Sequence, residues 1–286
     1  MNRPLLSVVV PSYNSEKYLH ECIYSLRRER HDEIEYIFVD GASTDQTMEI
    51  VRENEDLFSA VISEPDRGQS DALNKGFSHA RGEYFTWLNS DDVFCAGAMA
   101  FCLRFIKEKK SEWYAANMVY VDSETRISKC CESGRFENEF LKFGVLNVFG
   151  PSTIFKREVY DKIGPIRTDF HYCMDTEYWW RMASSGYSYI RIPVYLWALR
   201  LHVDAKTSGS LNSAYGSVPD RMLRENELYK NMYYPSVSNL KRRVGLLLVK
   251  VFRILNFSYI RSLFMTVKYR GKRLGDLVQA KGKHGS

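Results

Sequence analysis

A chain of 286 residues, 45% hydrophobic and 26% charged, carries enough apolar material for one large domain and an appendage, which excludes disorder as the leading state. Its six cysteines, at positions 22, 95, 102, 130, 131 and 173, contain no C-x-x-C pair, so they read as reduced thiols rather than a disulfide framework or a zinc site. The formal charge of +5 is unevenly spread. From Val237 onward 12 Lys or Arg accompany one acid, Asp276, giving +11 there and −6 for the body.

In chain order, "LLSVVV" predicts a first strand; the N-terminus has no long apolar region and no small-residue cleavage site, so it does not read as a signal peptide. "SEKYLHECIYSLRRER" follows as a helix with Tyr18, Leu19, Cys22, Ile23 and Leu26 on one face, then "EYIFVD" as a strand and "DQTMEIVREN" as a helix. "SAVIS", "QSDALNKGFSHA", "EYFTWL" and "GAMAFCLRFIKEK" continue the alternation of strand and helix, which argues for βαβ units and a parallel sheet. Beyond them "EWYAANMVYVD" reads as a strand, "PSTIFKREVYDKIG" as a strand and a short helix, and "DTEYWWRMASSG" as a helix stopped by Gly186. "YSYIRIP" and "WALRLH" are strand-like, and Asp204 to Gly216 reads as a mobile loop.

Polar clusters fall where the first four strands end. They are Pro11 to Asn14, Asp40 to Asp45, Glu64 to Asn74, and Asn89 to Asp92. In parallel sheets ligands sit outside the carboxyl ends of the strands, so four loops deliver polar groups to one edge, a site for a polar and anionic ligand. No G-x-G-x-x-G or G-x-x-x-x-G-K-[ST] follows the first strand. Tyr13 instead offers a stacking face for a base, Asp40 and Asp45 offer acceptors for base or ribose, and Arg67 is suited to phosphate. Adjacent Asp91 and Asp92 repel unless something positive sits there, and a hard divalent cation bridging a diphosphate would supply it.

The stretches "SVVVPSYNSEKYLHECIYSLRRE", "EYIFVDGASTDQT", "EPDRGQSDALNKGFSHARGEYFTWLNSDD" and "MDTEYWWRMASSG" together resemble the ordered motif set of family 2 glycosyltransferases, over roughly residues 5 to 205. The resemblance implies a GT-A fold, an α/β Rossmann-like architecture with a mostly parallel central sheet and flanking helices. It further implies inverting transfer from a nucleotide-activated sugar, with manganese or magnesium as cofactor. By the same resemblance Pro11, Tyr13, Asp40 and Asp45 border the nucleotide, and Arg67 and Asp71 lie beside ribose and diphosphate. The D-x-D motif falls on "NSDD", with Asn89 in place of the first Asp. Asp92 is then the expected metal ligand, and Asp91 ligates or holds the ribose. The E-D motif falls on Met174-Asp175, which makes Asp175 the candidate general base. "LRLHVDAKTS" resembles the closing segment, in which Arg200, His202 and Lys206 meet diphosphate or metal, and Ser152, Thr153 and Trp179 are expected on the acceptor side.

Structural roles compete with these. Asp175, Asp45, Asp91 and Asp92 each precede a helix and suit an N-cap, and Tyr13 and Trp179 suit packing. "NLKRRVGLLLVKVFRILNFSYIRSLFMTVKYRGKRL" is interrupted by Lys250, Arg253 and Arg261, so it cannot span a bilayer. It suits an amphipathic helix lying on an anionic membrane surface, or a helical cap on the catalytic domain. The expected organisation is a catalytic domain over 1–217 and a basic helical region over 218–286. The expected activity is transfer of a hexose or N-acetylhexosamine from a UDP-sugar to a glycan or lipid-linked glycan, at the cytoplasmic face of a bacterial inner membrane, in surface polysaccharide, lipopolysaccharide or glycoprotein assembly, with no nucleic-acid partner. The alternatives are a sugar-phosphate nucleotidyltransferase and a non-catalytic binding module of the same fold.

Overall fold

A computed structural model describes residues 3–134, 140, 146, 148–207, 217–233, 235–255 and 257–277. The first half runs β1 (Leu6–Ser12), α1 (Glu16–Arg28), β2 (Ile34–Asp40), α2 (Thr47–Arg52), β3 (Ala60–Ser63), α3 (Gln69–His79), β4 (Tyr84–Trp87), β5 (Val93–Phe94) and α4 (Ala98–Glu108). The second half runs β6 (Trp113–Val121), β7 (Ile127–Cys131), β8 (Thr153–Lys156), α5 (Arg157–Ile163), α6 (Met174–Ser184), β9 (Ile190–Arg200), α7 (Asp220–Tyr233), α8 (Asn239–Leu255) and α9 (Ser258–Tyr269).

One sheet of nine strands, in the order β3-β2-β1-β4-β8-β6-β9-β5 with β7 beside β6, organises the molecule. The pairs β3/β2, β2/β1 and β1/β4 are parallel, as the strand and helix alternation predicts. All seven residues of β1 are buried because both sheet faces are covered. Successive side chains point to opposite faces, so Val8 and Val10 join Leu19, Cys22 and Leu26 of α1 and Met99 and Cys102 of α4, while Val9 joins Leu73 and Phe77 of α3 and Met182 of α6. All six cysteines are buried, and none is in a disulfide.

The two strand-like stretches around Pro193 form a single strand, β9. Against β6 the register runs from Ala115↔Arg191 to Asn117↔Tyr195, so three residues of β9 stand opposite Ala116, and this bulge accommodates the missing N–H of Pro193. Sequence reading did not find β7. Its outer backbone is closed by α9, where the Cys130 N–H donates to Thr266 Oγ1 (3.0 Å) and the adjoining Glu132 N–H to Ser262 Oγ (2.9 Å). The basic segment expected as one amphipathic helix is two, α8 and α9, joined through Phe257 at φ 57°. Among the described residues no helix is long and apolar enough to cross a membrane.

Candidate active site

The loops after β1, β2, β3 and β4, together with the segment after β9, enclose a cavity of about 750 Å³. Its walls include Pro11, Tyr13, Lys17, Gly41, Asp66, Gln69, Asp91, His171, His202 and Lys206. Tyr13, 63% exposed, presents its ring to solvent there. The loops are tied to one another before any ligand is considered. Asn14 Oδ1 accepts the Thr44 N–H (2.9 Å), the Asn14 N–H donates to Ser43 Oγ (2.8 Å), and the hydroxyls of Ser15 and Ser90 meet at 2.7 Å.

Two of the expected nucleotide residues build this frame rather than the cavity wall. Asp40 is fully buried; its Oδ2 accepts the Ser43 N–H (3.0 Å) and the Ser63 hydroxyl (2.7 Å), and its Oδ1 accepts the Ser43 hydroxyl. Asp45 accepts the N–H groups of Glu16 (3.1 Å) and Thr47 (3.0 Å), so it satisfies backbone donors at the starts of α1 and α2. Burial pushes its pKa up, but those hydrogen bonds outweigh it and hold the carboxyl below the usual range. Arg67 points to solvent and pairs with Asp71 (3.1 Å), whose pKa it lowers; neither lines the cavity. The carboxylate that does face the cavity from this loop is Asp66, which sequence reading passed over. Its Oδ1 accepts the Gly68 N–H (2.7 Å), and a Cβ on Gly41 would stand 2.7 Å from Oδ2, so the glycine leaves room for the carboxylate in this position.

At the end of β4 the neighbouring aspartates have different surroundings. Asp92 is 2% exposed, and both of its oxygens are engaged: Oδ1 by the Arg200 N–H (2.8 Å), Oδ2 by Trp197 Nε1–H (2.9 Å) and the Asn89 amide (2.9 Å). Burial, then the charge of Asp91, raises its pKa well above the usual carboxylate range. Asp91 has a side chain 34% exposed, with Oδ2 3.2 Å from His202 Nε2. The oxygen and nitrogen that face the cavity together are therefore those of Asp91 and His202. Among the described residues no three His, Cys, Asp or Glu side chains converge on one point. Asn89 suits its place, since its amide donates to Asp92 while its carbonyl accepts from Gln69 Nε2 (2.7 Å); an aspartate there could not do the first.

Arg200, expected at the diphosphate, spends its guanidinium on the protein. It donates to the Asp91 carbonyl (2.9 Å), the Ser123 carbonyl (3.1 Å) and Glu21 (2.8 Å), and lies over the Tyr18 ring (4.6 Å). Lys206 does reach the cavity wall, with Nζ donating to Gln69 Oε1 (2.6 Å) and the His171 carbonyl (2.7 Å). Burial lowers its pKa, and Asp175, Glu225 and Asp91 act in the other direction.

Asp175 is the second residue of α6, and Cys173 occupies the N-cap position. Its Oδ1 accepts the Thr176 N–H (2.7 Å), and its Oδ2 lies against Gly150, where a Cβ would stand 2.9 Å away. Burial raises its pKa, against the Thr176 hydrogen bonds and the charge of Lys206. Asp175 thus accepts the N–H of the third residue of its own helix, while the N–H groups of His171, Tyr172 and Cys173, just before the helix, all donate to Glu225 of α7. Ser152 and Thr153 are buried and turn their hydroxyls to the Phe149 carbonyl (2.8 and 3.1 Å). Trp179, 2% exposed, stacks between Trp87 (5.6 Å) and Trp113 (5.8 Å), so it is a core residue and not a sugar platform.

Residues 7–164, more than half of the chain, match the profile described as Glycosyl transferase family 2. An uncharacterized glycosyltransferase of Haemophilus influenzae is 32% identical over 127 residues, 43% of this chain and 51% of that one, so the match spans about half of the relative's length. A PGL/p-HBAD biosynthesis glycosyltransferase of Mycobacterium bovis is 27% identical over 186 residues, 62% of this chain and 69% of that one. A putative teichuronic acid biosynthesis glycosyltransferase, TuaG, of Bacillus subtilis is 34% identical over 110 residues, 37% of this chain and 44% of the relative. Among solved structures, residues 1–349 of Staphylococcus aureus TarS in complex with UDP-GlcNAc align with a TM-score of 0.58 at 21% identity, over 72% of this chain and 60% of that one. The mannosyltransferase PcManGT of Pyrobaculum calidifontis, in complex with GDP-Man and Mn2+, aligns with a TM-score of 0.53 at 18% identity, over 92% and 88%. The curled mixed sheet with helices on both faces is thus the GT-A fold, with a helical segment appended at the C-terminus. The chain belongs to glycosyl transferase family 2.

Proposed function

We propose that the chain transfers a hexose or N-acetylhexosamine from a UDP-sugar, with inversion at the anomeric carbon, to a hydroxyl of a glycan or lipid-linked glycan, in bacterial surface polysaccharide, lipopolysaccharide or glycoprotein assembly. The observation that carries this reading is the group of Asp91, His202 and Lys206 on one wall, with Asp175 behind it, off the cavity lining but close enough for its charge to act on Lys206. Tyr13 stacks on the base and Asp66 accepts from its N–H or from ribose. Asp91 and His202 are the residues that would hold a divalent cation such as manganese, through one oxygen and one nitrogen. A divalent cation there supplies charge compensation for the departing nucleoside diphosphate. Lys206 adds a positive charge against the same leaving group. Asp175 takes the proton of the acceptor hydroxyl as that oxygen attacks from the face opposite the leaving group. Its raised proton affinity suits a base, provided the working pH keeps it ionised.

In this proposal residues 1–217 form the catalytic domain and 218–286 a basic membrane-facing region at the cytoplasmic face of the inner membrane. What supports the latter is the outer surface of α8 and α9, where Leu247, Val251, Phe264 and Val267 are exposed among Lys241, Arg243, Lys250 and Lys268. The deciding experiment measures UDP release from UDP-glucose, UDP-galactose and UDP-N-acetylglucosamine with manganese, in wild type and Asp175→Asn. The reading expects release in the wild type and its collapse in the variant with nucleotide binding retained. Binding without any release in either would leave a non-catalytic module. Flotation with vesicles containing phosphatidylglycerol tests the membrane part, which fails if a chain ending before Val237 floats equally well.

A further inference from the structure

Glu225 lies on α7, outside every motif, yet its carboxylate is buried and accepts three consecutive backbone N–H groups, from His171 (2.8 Å), Tyr172 (2.7 Å) and Cys173 (3.0 Å). These donors lead directly into α6, whose N-cap residue Cys173 contributes no capping side chain. To the acids of its own first turn, Asp175 and Glu177, Glu225 adds a negative charge from a different helix more than fifty residues later in the chain. Arg221 holds Oε1 from one turn earlier on α7 (2.9 Å). A second tie joins the same pair of helices, the Tyr233 hydroxyl donating to Glu177 of α6 (2.6 Å).

What Glu225 holds is not generic backbone. The carbonyl of His171 accepts from Lys206 Nζ (2.7 Å), and the chain that leaves Cys173 arrives two residues later at Asp175. We propose that Glu225 is a positioning residue for sugar transfer, pinning the segment His171–Cys173 so that Lys206 and Asp175 keep their separation and orientation. This inference rests on the donor-site reading given above. Near-attack geometry is steep in distance, so a displacement of about 1 Å at this segment costs up to about a hundredfold in rate. The titratable groups acting on Lys206 are Asp175, Glu225, Asp91 and Cys173, with His171 beside it.

The test is binding of manganese and a nucleoside diphosphate, tried as UDP, GDP and dTDP, by calorimetry from pH 6 to 9 in wild type, Glu225→Gln and Asp175→Asn. Glu225→Gln turns an amide N–H toward donors and removes the charge, so affinity is expected to fall about tenfold with the loss of an ordered charge-assisted contact. Its decline with rising pH should also begin earlier, because Lys206 holds its proton less tightly without that anion. Asp175→Asn removes another of the anions that act on Lys206, so its decline with rising pH should also begin earlier, but without the roughly tenfold fall at pH 6 that follows from releasing the segment. Glu225→Asp, which keeps the charge but withdraws it by one methylene, serves if the glutamine variant does not fold, and should also weaken binding. Folded Glu225 variants with wild-type affinity and pH profile, whatever their melting temperature, would overturn the positioning role alone. A wild type that binds none of the three diphosphates would overturn the donor reading and this inference with it.

Discussion

Asp92→Ala removes a carboxylate that accepts hydrogen bonds from Trp197 Nε1–H, the Arg200 N–H and the Asn89 amide. Asn89 still has Gln69 as a partner and borders the cavity, so its loss is small. The Trp197 and Arg200 donors are buried and would be stranded, at about 1–3 kcal/mol each. Part of this is returned, because burial and Asp91 already disfavour the charge on Asp92. A net cost of about 3 kcal/mol corresponds to a melting temperature lower by roughly 6–12 °C. Asp91→Ala loses one contact at a side chain 34% exposed, and its stability should stay within about 0.5 kcal/mol of wild type. The assay is a thermal melt of both variants with UDP, with and without manganese. Asp91→Ala should melt like wild type and lose the manganese-dependent gain, whereas Asp92→Ala should melt early and keep much of it. An Asp92→Ala protein of wild-type stability that had lost the manganese response would refute the argument and make Asp92 the ligand.

Gly150→Ala places a Cβ 2.9 Å from Asp175 Oδ2, so the carboxylate must move by about half an ångström, and turnover should fall roughly tenfold or more in a folded enzyme; unchanged kcat would separate Asp175 from the chemistry. Asp175 has a raised folded pKa, so its ionised form destabilises the protein above that pKa and the cost is relieved as pH falls through it. Asp175→Asn should therefore raise the melting temperature at neutral pH while abolishing turnover, and the acid limb of the wild-type rate should lie above the ordinary aspartate pKa. A lower melting temperature in that variant would contradict the sign. Glu35 is the opposite case: burial pushes its pKa up, but hydrogen bonds from the Ser7 hydroxyl and from the backbone and side chain of Arg81 outweigh it and lower the pKa. Its stability is present above the unfolded pKa and lost as pH falls through the folded one, and Glu35→Ala should cost about 3 kcal/mol in urea unfolding at pH 7.

Local pattern made much of the chain legible. Val8, Val9 and Val10 alternate between two covered sheet faces, and the apolar face of α1 sits where its spacing puts it, because periods of 2 and 3.6 are properties of the backbone itself. The polar clusters ending the first strands do line one edge, since parallel strands point their carboxyl ends the same way. The division of labour among the acids was not legible. Asp91 and Asp92 are adjacent and chemically identical, and only Trp197 and Arg200, brought by β9 from over a hundred residues away, bury one and leave the other at the cavity. Asp40 and Asp45 became loop ties and Asp66 a wall residue for the same reason: which lone pairs remain free depends on donors from other segments. Glu225 carried no signal at all, because its partners are backbone N–H groups, which every sequence possesses. Residue type and order determined the family and the edge where the polar loops gather; long-range pairing decided which oxygen atoms are left facing the cavity.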